Sequence, residues 1–391
     1  MPNITIYDNQ AKRSFEHADV NTIIALLNAP VNYKKIDQNI NQPDNIAKFV
    51  MFKKPFEEVI NVENLLKIEN ANSVLSTEDF RVYPKKQIEL LEEGWEYLEG
   101  LPEGQKKVDG LNVGKYTGNK WGGKYLRAPD IYFTILEKGK DKLIKLKDIA
   151  NIKTGVKESG YKSYIQSREK LIKAGIKDFS KFLPILKEVK EHNKVLIYNN
   201  DSFIVQDIRK FKKIIKNKVA PVLWLSGRGS THKCQENVNL YPFSGNYIGI
   251  IPLKPINKDL MLTLLNSTLV IFISEILNRG KGIGGGASVV TKSDIEKLLI
   301  LNIENVPQHI INRFTNIKNK MNQRYYKSIF AELGINPKQP IREQEPNPLP
   351  DRKELDDIVF DALALTKEER KEVYWAVAEL VKNRLEKARS V

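Results

Sequence analysis

Between Met261 and Leu277 the chain passes through its most apolar stretch, and any fold it adopts must bury that stretch. Met261, Leu264, Leu265, Leu269, Phe272, Ile273 and Ile276 recur at three- and four-residue steps, with Thr268 on the same stripe. That spacing predicts one core-facing helix over about 259–278. Asn266, Ser267, Thr268 and Glu275 interrupt the run, which is also short for a bilayer span, so a buried helix is expected and not a membrane anchor. Gly280 stands where a left-handed cap would end it.

Ile4 and Ile6 alternate as in a half-buried strand, and Thr22 to Leu27 reads as a central strand, so residues 1–30 form a hairpin. A lone hairpin is unstable, which requires the sheet to continue later or in another chain. Ala47 to Phe52 supplies a further strand and residues 84–98 read as helical, before Gly94, Gly100, Pro102 and Gly104 mark a linker. From about 110 to 305, short strands alternate with basic loops; Lys194 to Tyr198 and Phe203 to Val205 read as strands joined by a turn at Asn199-Asn200-Asp201. Pro346, Pro348 and Pro350 form a stiff connector. Beyond it, Asp351 with Glu354 and Thr366 with Glu369 are helix-opening capping pairs. Leu355, Ile358, Val359, Ala362 and Leu363 line one helix face, and Val373, Val377, Leu380 and Val381 the next. The fold class is α+β, with a mixed, β-rich region around a long core helix and a helical hairpin at the end. The boundaries fall at 1–100, 101–345 and 346–391.

Lys and Arg number 63 against 48 Asp and Glu, a net charge of +15 that favours a polyanion partner, nucleic acid being the commonest. A Lys-rich proteome yields the same balance without any such partner, so charge alone does not decide. The single Cys234 excludes an internal disulfide, and with the scattered His17, His192, His232 and His309 it assembles no zinc site. Met1 to Thr5 carry no basic-then-apolar leader pattern, and a cytoplasmic location is expected.

Gly280 to Gly286 contains a G-x-G-x-x-G match, but a dinucleotide loop follows a strand and this one follows the predicted helix. What remains is either a plain helix-ending loop or a loop whose backbone, with Arg279 and Lys281 at its mouth, comes close to a phosphate. Arg209 to Lys218 holds six cations and no acid, either a solvated face or a phosphate-facing one. Lys212, Lys213 and Lys216 lie within it, and Lys153 and Arg228 join the same DNA-binding set. Lys115, Lys120, Lys124 and Arg127 interleave with Tyr116, Trp121 and Tyr125, a mixture that suits a nucleic-acid groove. Catalytic signatures are missing. No Gly-rich turn follows a strand to hold S-adenosylmethionine, and Asn347-Pro348-Leu349-Pro350 lacks the aromatic of an amine-holding turn. Asp178 with Glu188 and Lys190 is a chance nuclease-like spacing in so charged a chain.

Four ordered segments resemble the TaqI-like C-terminal specificity domain of adenine-specific methyltransferases and single-chain restriction–modification enzymes. They are Lys120 to Asp130, Leu146 to Val156, Leu265 to Leu269 with Arg279 to Val290, and Asp351 to Leu385. The likeness departs at Gly155 to Tyr164. Phe15 to Ile23 resembles the last hairpin of the family's methyltransferase domain, in which the aromatic matching Phe15 contacts the extruded adenine. The resemblance implies a target-recognition portion that binds double-stranded DNA and begins near the end of a catalytic domain. It also implies a catalytic methyltransferase partner that uses S-adenosylmethionine, no cofactor bound by this chain, and no methyl transfer by the chain alone. The alternatives are a free-standing specificity subunit docking on a catalytic chain, or a basic RNA-binding or structural protein.

Overall fold

The computed structural model describes residues 4–9, 23–27, 46–86, 89–90, 93–97, 107–108, 111–112, 114–116, 122–156, 164–187, 190, 192–205, 215, 217–277, 279–280 and 288–389. The chain divides into two compact units, Met1–Ala128 and Pro129–Val391.

In the first unit, β1 (Ile4–Asn9), β2 (Ile23–Leu27), β3 (Ile46–Phe52), β4 (Leu75–Ser76) and β5 (Phe80–Lys86) form a sheet of order β2-β1-β3-β5-β4. The hairpin β1–β2 is present, and β1 continues the sheet by pairing in parallel with β3. The expected central strand, however, is an edge: Ile24 and Leu26 are 45% and 54% exposed. Alternation in β3 and β5 buries Val50, Phe52, Phe80 and Val82 against α1 (Phe56–Val59) and α2 (Val62–Asn70), the latter capped by Asn61. The helix expected at 84–98 is met only in part: among the described residues of that stretch Glu89, Leu90 and Glu93 are helical. Its first residues extend β5, whose register against β3 runs Ile46 to Lys86 through Phe52 to Phe80, and Trp95–Tyr97 (β6) is a strand. Strand pairing outweighs the local helix preference at the two ends of the stretch. Two short ladders join β6 to β9 (Gly114–Tyr116) and β7 (Lys107–Val108) to β8 (Leu111–Asn112).

The second unit opens with α3 (Asp130–Lys138), and β10 (Leu143–Lys145) pairs with β22 (Leu299–Leu301). After α4 (Leu146–Ile149), β11 (Ala150–Thr154) enters a five-stranded sheet. Its other members are β14 (Leu196–Ile197), β16 (Val222–Leu225), β18 (Cys234–Asn237) and β19 (Tyr247–Pro252), in the order β11-β19-β16-β18-β14. A smaller sheet sets β15 (Ser202–Ile204) between β12 (Ile165–Ser167) and β13 (Leu183–Ile185), with α5 (Arg168–Lys173) following β12. The expected hairpin across residues 194–205 is therefore split, β14 and β15 serving different sheets. Asp201 explains the split, because its carboxylate accepts from the Lys187 amide and ties the turn to the smaller sheet.

The apolar stretch is buried as expected but forms two helices, α6 (Lys258–Leu264) and α7 (Thr268–Leu277), bent by 65°. Asn266 sits at the break, donating to the Leu262 and Cys234 carbonyls, and the Thr268 amide donates out of the helix to Asp356. Among the described residues no single helix is long and apolar enough to cross a membrane; the bent pair passes by composition, and it lies in the core. After α8 (Lys292–Glu296), α9 (Gln308–Asn322) and α10 (Ile329–Leu333), the chain ends in α11 (Pro350–Ala362) and α12 (Lys367–Arg389), both packed on α7. Leu355, Val359, Leu363, Val373, Val377 and Val381 are buried there, each worth ~1.5–3 kcal/mol, whereas Ala362 is exposed. Thr366 and Glu369 form their reciprocal cap. Asp351 does not cap: Pro350 occupies the first helical position, and the Asp351 carboxylate pairs with Arg324 at 2.8 Å. The architecture is α+β.

Candidate nucleic-acid interface

Two stretches of the second unit that differ most in sequence character share one foundation. The chain leaves β11 through Gly155 and Val156, where the Val156 amide donates to Phe243 O at 2.9 Å, and returns at Tyr164 to begin β12. It leaves β15 at Val205, whose amide donates to Tyr164 O at 2.9 Å, and returns at Ile215. Val156, Ile165, Ile185, Ile204 and Ile215 form a single buried cluster, flanked by Tyr164 and Leu183. Lys218 then donates to Thr154 O at 3.0 Å. The described residues that flank 157–163 and 206–214 thus meet at one cluster. Lys153 lies half-buried on β11 beside it. Arg209, Lys212, Lys213 and Lys216 fall outside the described residues.

The glycine-rich loop also has a defined base. Gly280 is not a left-handed helix cap; Arg279–Gly280 (β20) is extended and pairs with Ser288–Val289 (β21), which pairs with Gly227–Arg228 (β17). Only the ladder's backbone places Arg279, and Lys281 falls outside the described residues. Arg228, expected to meet DNA, is instead a core residue at 2% exposure. Its guanidinium reaches His232 Nδ1 at 2.9 Å, Ser274 Oγ at 2.8 Å and Glu275 at 3.4 Å. Burial pushes the Arg228 guanidinium down and the neighbouring Glu275 carboxylate opposes this. It fastens the base of the loop to α7 and cannot reach a phosphate. Arg384 completes the fastening by pairing with Glu275 at 3.0 Å and donating to Gly229 O. The other nitrogen of His232 lies 2.9 Å from Leu265 O, and Cys234 is buried in β18, so neither faces a common metal position.

In the first unit, the interleaved cations and aromatics divide by burial. Tyr125 is core, its ring tilted against those of Phe49 and Tyr83 with centres 5.0 and 4.9 Å away, and with its hydroxyl on Glu93. This corrects its reading as a groove aromatic. The turn Gly122–Arg127 is a wide π-helical one that holds Tyr125 inward, while buried Arg81 donates to Tyr125 O and Ala128 O. Lys124 pairs with Glu93 at 3.1 Å, and Arg127 is exposed. Lys120, Trp121 and Phe15 fall outside the described residues. The strand-to-helix junction described in this unit does not fit the implied methyl donor. The junction from β3 into α1 reads Lys53-Lys54-Pro55, without the glycines a donor-cradling turn requires.

The chain matches no family profile and no curated protein sequence. Its structure is similar to the type IIG restriction endonuclease BpuSI, with a TM-score of 0.51 at 12% identity over 99% of this chain and 44% of that one. More distant matches are a type I restriction–modification complex (TM-score 0.30, 11% identity, 64% of this chain and 52% of that chain) and the HsdS subunit from Thermoanaerobacter tengcongensis (0.29, 11%, 67% and 52%). The likeness to BpuSI is one of fold, and this chain spans less than half of that protein's length.

Proposed function

We propose that this chain is the DNA-recognition portion of a restriction–modification enzyme whose complete form transfers a methyl group from S-adenosylmethionine to an adenine amine. The observation that carries the reading is the fold likeness to a type IIG restriction endonuclease along 99% of the chain. The net charge of +15 supports it, as does the single buried cluster of Val156, Ile165, Ile204 and Ile215, which lies next to both the 157–163 and the 206–214 segments in sequence. In this reading Lys153, Arg209, Lys212, Lys213 and Lys216 grip phosphates, as do Arg279 and Lys281 at the glycine loop. Lys120, Trp121, Lys124 and Arg127 position the first unit. Phe15 supplies one wall of the flipped-base pocket, on the strength of the family resemblance, and the chemistry belongs to a catalytic portion joined to this chain.

Fluorescence anisotropy with a duplex and with an RNA of equal length tests the class of partner. Duplex should bind more tightly, with log affinity falling by about 0.9 per tenfold salt for each phosphate neutralised. Replacing Lys212, Lys213 and Lys216 together by Ala should flatten that slope. Tighter binding of RNA, or no salt dependence, would contradict the proposal.

A further inference from the structure

Most arginine side chains that the structure describes are tied to carboxylates. Arg324 holds Glu332 and Asp351, Arg342 holds Glu372 and Glu379, Arg370 reaches Asp361, and Arg384 grips Glu275. Arg168 is held differently. It opens α5 at the surface, and its guanidinium carbon lies 5.2 Å from the Phe179 ring centre and 5.3 Å from that of Phe203. The two rings stack at 4.8 Å with their planes 14° apart. Its one side-chain hydrogen bond among the described residues is a long one, from Nη2 to Asn200 Oδ1 at 3.4 Å.

The platform beneath Arg168 is rigid. Phe203 lies in the middle of β15, opposite Gln166 and Pro184, and alternation turns it away from the face that buries Ile165, Ile185 and Ile204. The Arg168 amide donates to Asp201 O at 2.8 Å. The Asp201 carboxylate is itself fixed by the Lys187 amide and Ser202 Oγ, with His192 Nε2 at 2.7 Å. Lys170 and Lys181, both exposed, lie nearby in sequence on α5 and before β13. A carboxylate would occupy the donor fork, whereas aromatic rings restrain the flat guanidinium and leave the fork available. Restraint before binding removes an ordering cost that a free arginine meets on binding. Such a fork matches two acceptors in one plane, the arrangement that guanine O6 and N7 present in the major groove.

We propose that Arg168 reads a base, its guanidinium set against Phe179 and Phe203 and pairing with one guanine of the recognised duplex. This assignment rests on the reading of the chain as a DNA-recognition portion. Selection from a random duplex library by the full chain, repeated with Arg168→Ala and Arg168→Lys, tests it. The parent should enrich a short sequence containing at least one fixed guanine. Both variants should lose preference at one such position by about five- to a hundredfold while keeping the rest of the sequence. Arg168→Lys, which keeps the charge, should also keep the parent's salt slope and melting temperature. An unchanged preference, a uniform weakening across all sequences, or early melting of both variants would overturn the assignment while leaving a DNA reader in place. A parent that enriches no sequence would overturn both.

Discussion

Asp356 is fully enclosed where α11 meets α7, accepting from the Thr268 amide at 2.8 Å and Thr268 Oγ1 at 2.6 Å. Burial pushes its carboxyl up to about 6, against the opposing pull of Arg352 and of its Thr268 and Tyr374 donors. An unfolded aspartate titrates near ~3.9, so between these values the folded chain holds a proton that the unfolded chain has released. The stability this brings is fully present below about 3.9 and is lost as pH rises through about 6, by up to ~3 kcal/mol. Glu332 works in the opposite sense. Burial raises its carboxyl, but Arg352 and Arg324 outweigh this and hold it below the usual range, so its contribution fades as pH falls. Comparing Asp356→Asn with the parent isolates Asp356, because Glu332 is common to both. In urea unfolding from pH 4 to 7, the variant should gain on the parent by up to ~3 kcal/mol as pH rises. A gap independent of pH would show that Asp356 titrates normally.

At the scale of elements, Gly155 is the hinge on which the proposed interface is hung. A Cβ there would stand 2.0 Å from Ser244 O and 2.3 Å from Ser244 C, backbone atoms that cannot swing aside. Gly155→Ala should therefore destabilise the chain by at least ~1–3 kcal/mol in denaturant unfolding. Gly245→Ala, whose Cβ would meet only Val156 O at 3.6 Å, should be nearly neutral. Equal effects of the two would refute the close approach. Elements with clean periodicity were legible in the sequence, such as β1, β3 and the Thr366–Glu369 cap, because local pattern and tertiary partner agree there. The break between α6 and α7 was not, since Asn266 and Thr268 look like minor interruptions until Cys234 and Asp356 supply their partners from distant parts of the chain. Arg228 misled for a related reason: charge patterning does not reveal that Glu275 and His232 will surround it. Arg168 carried no signal, because its rings come from positions 179 and 203.

Across the whole molecule, 63 Lys and Arg against 48 Asp and Glu favour affinity for polyanions whether or not the chain reads sequence. Tight, salt-sensitive binding alone is therefore weak support for recognition. What separates a reader from a basic surface is the ratio of affinities for two duplexes of equal charge. The most direct measurement compares the duplex selected by the chain with a shuffled duplex of the same composition at about 150 mM salt. A recognition portion of a restriction–modification enzyme should prefer its selected duplex by ~10³-fold or more. A ratio near one, with the steep salt slope retained, would mean that the fold presents a non-specific cationic surface and would contradict the proposed function.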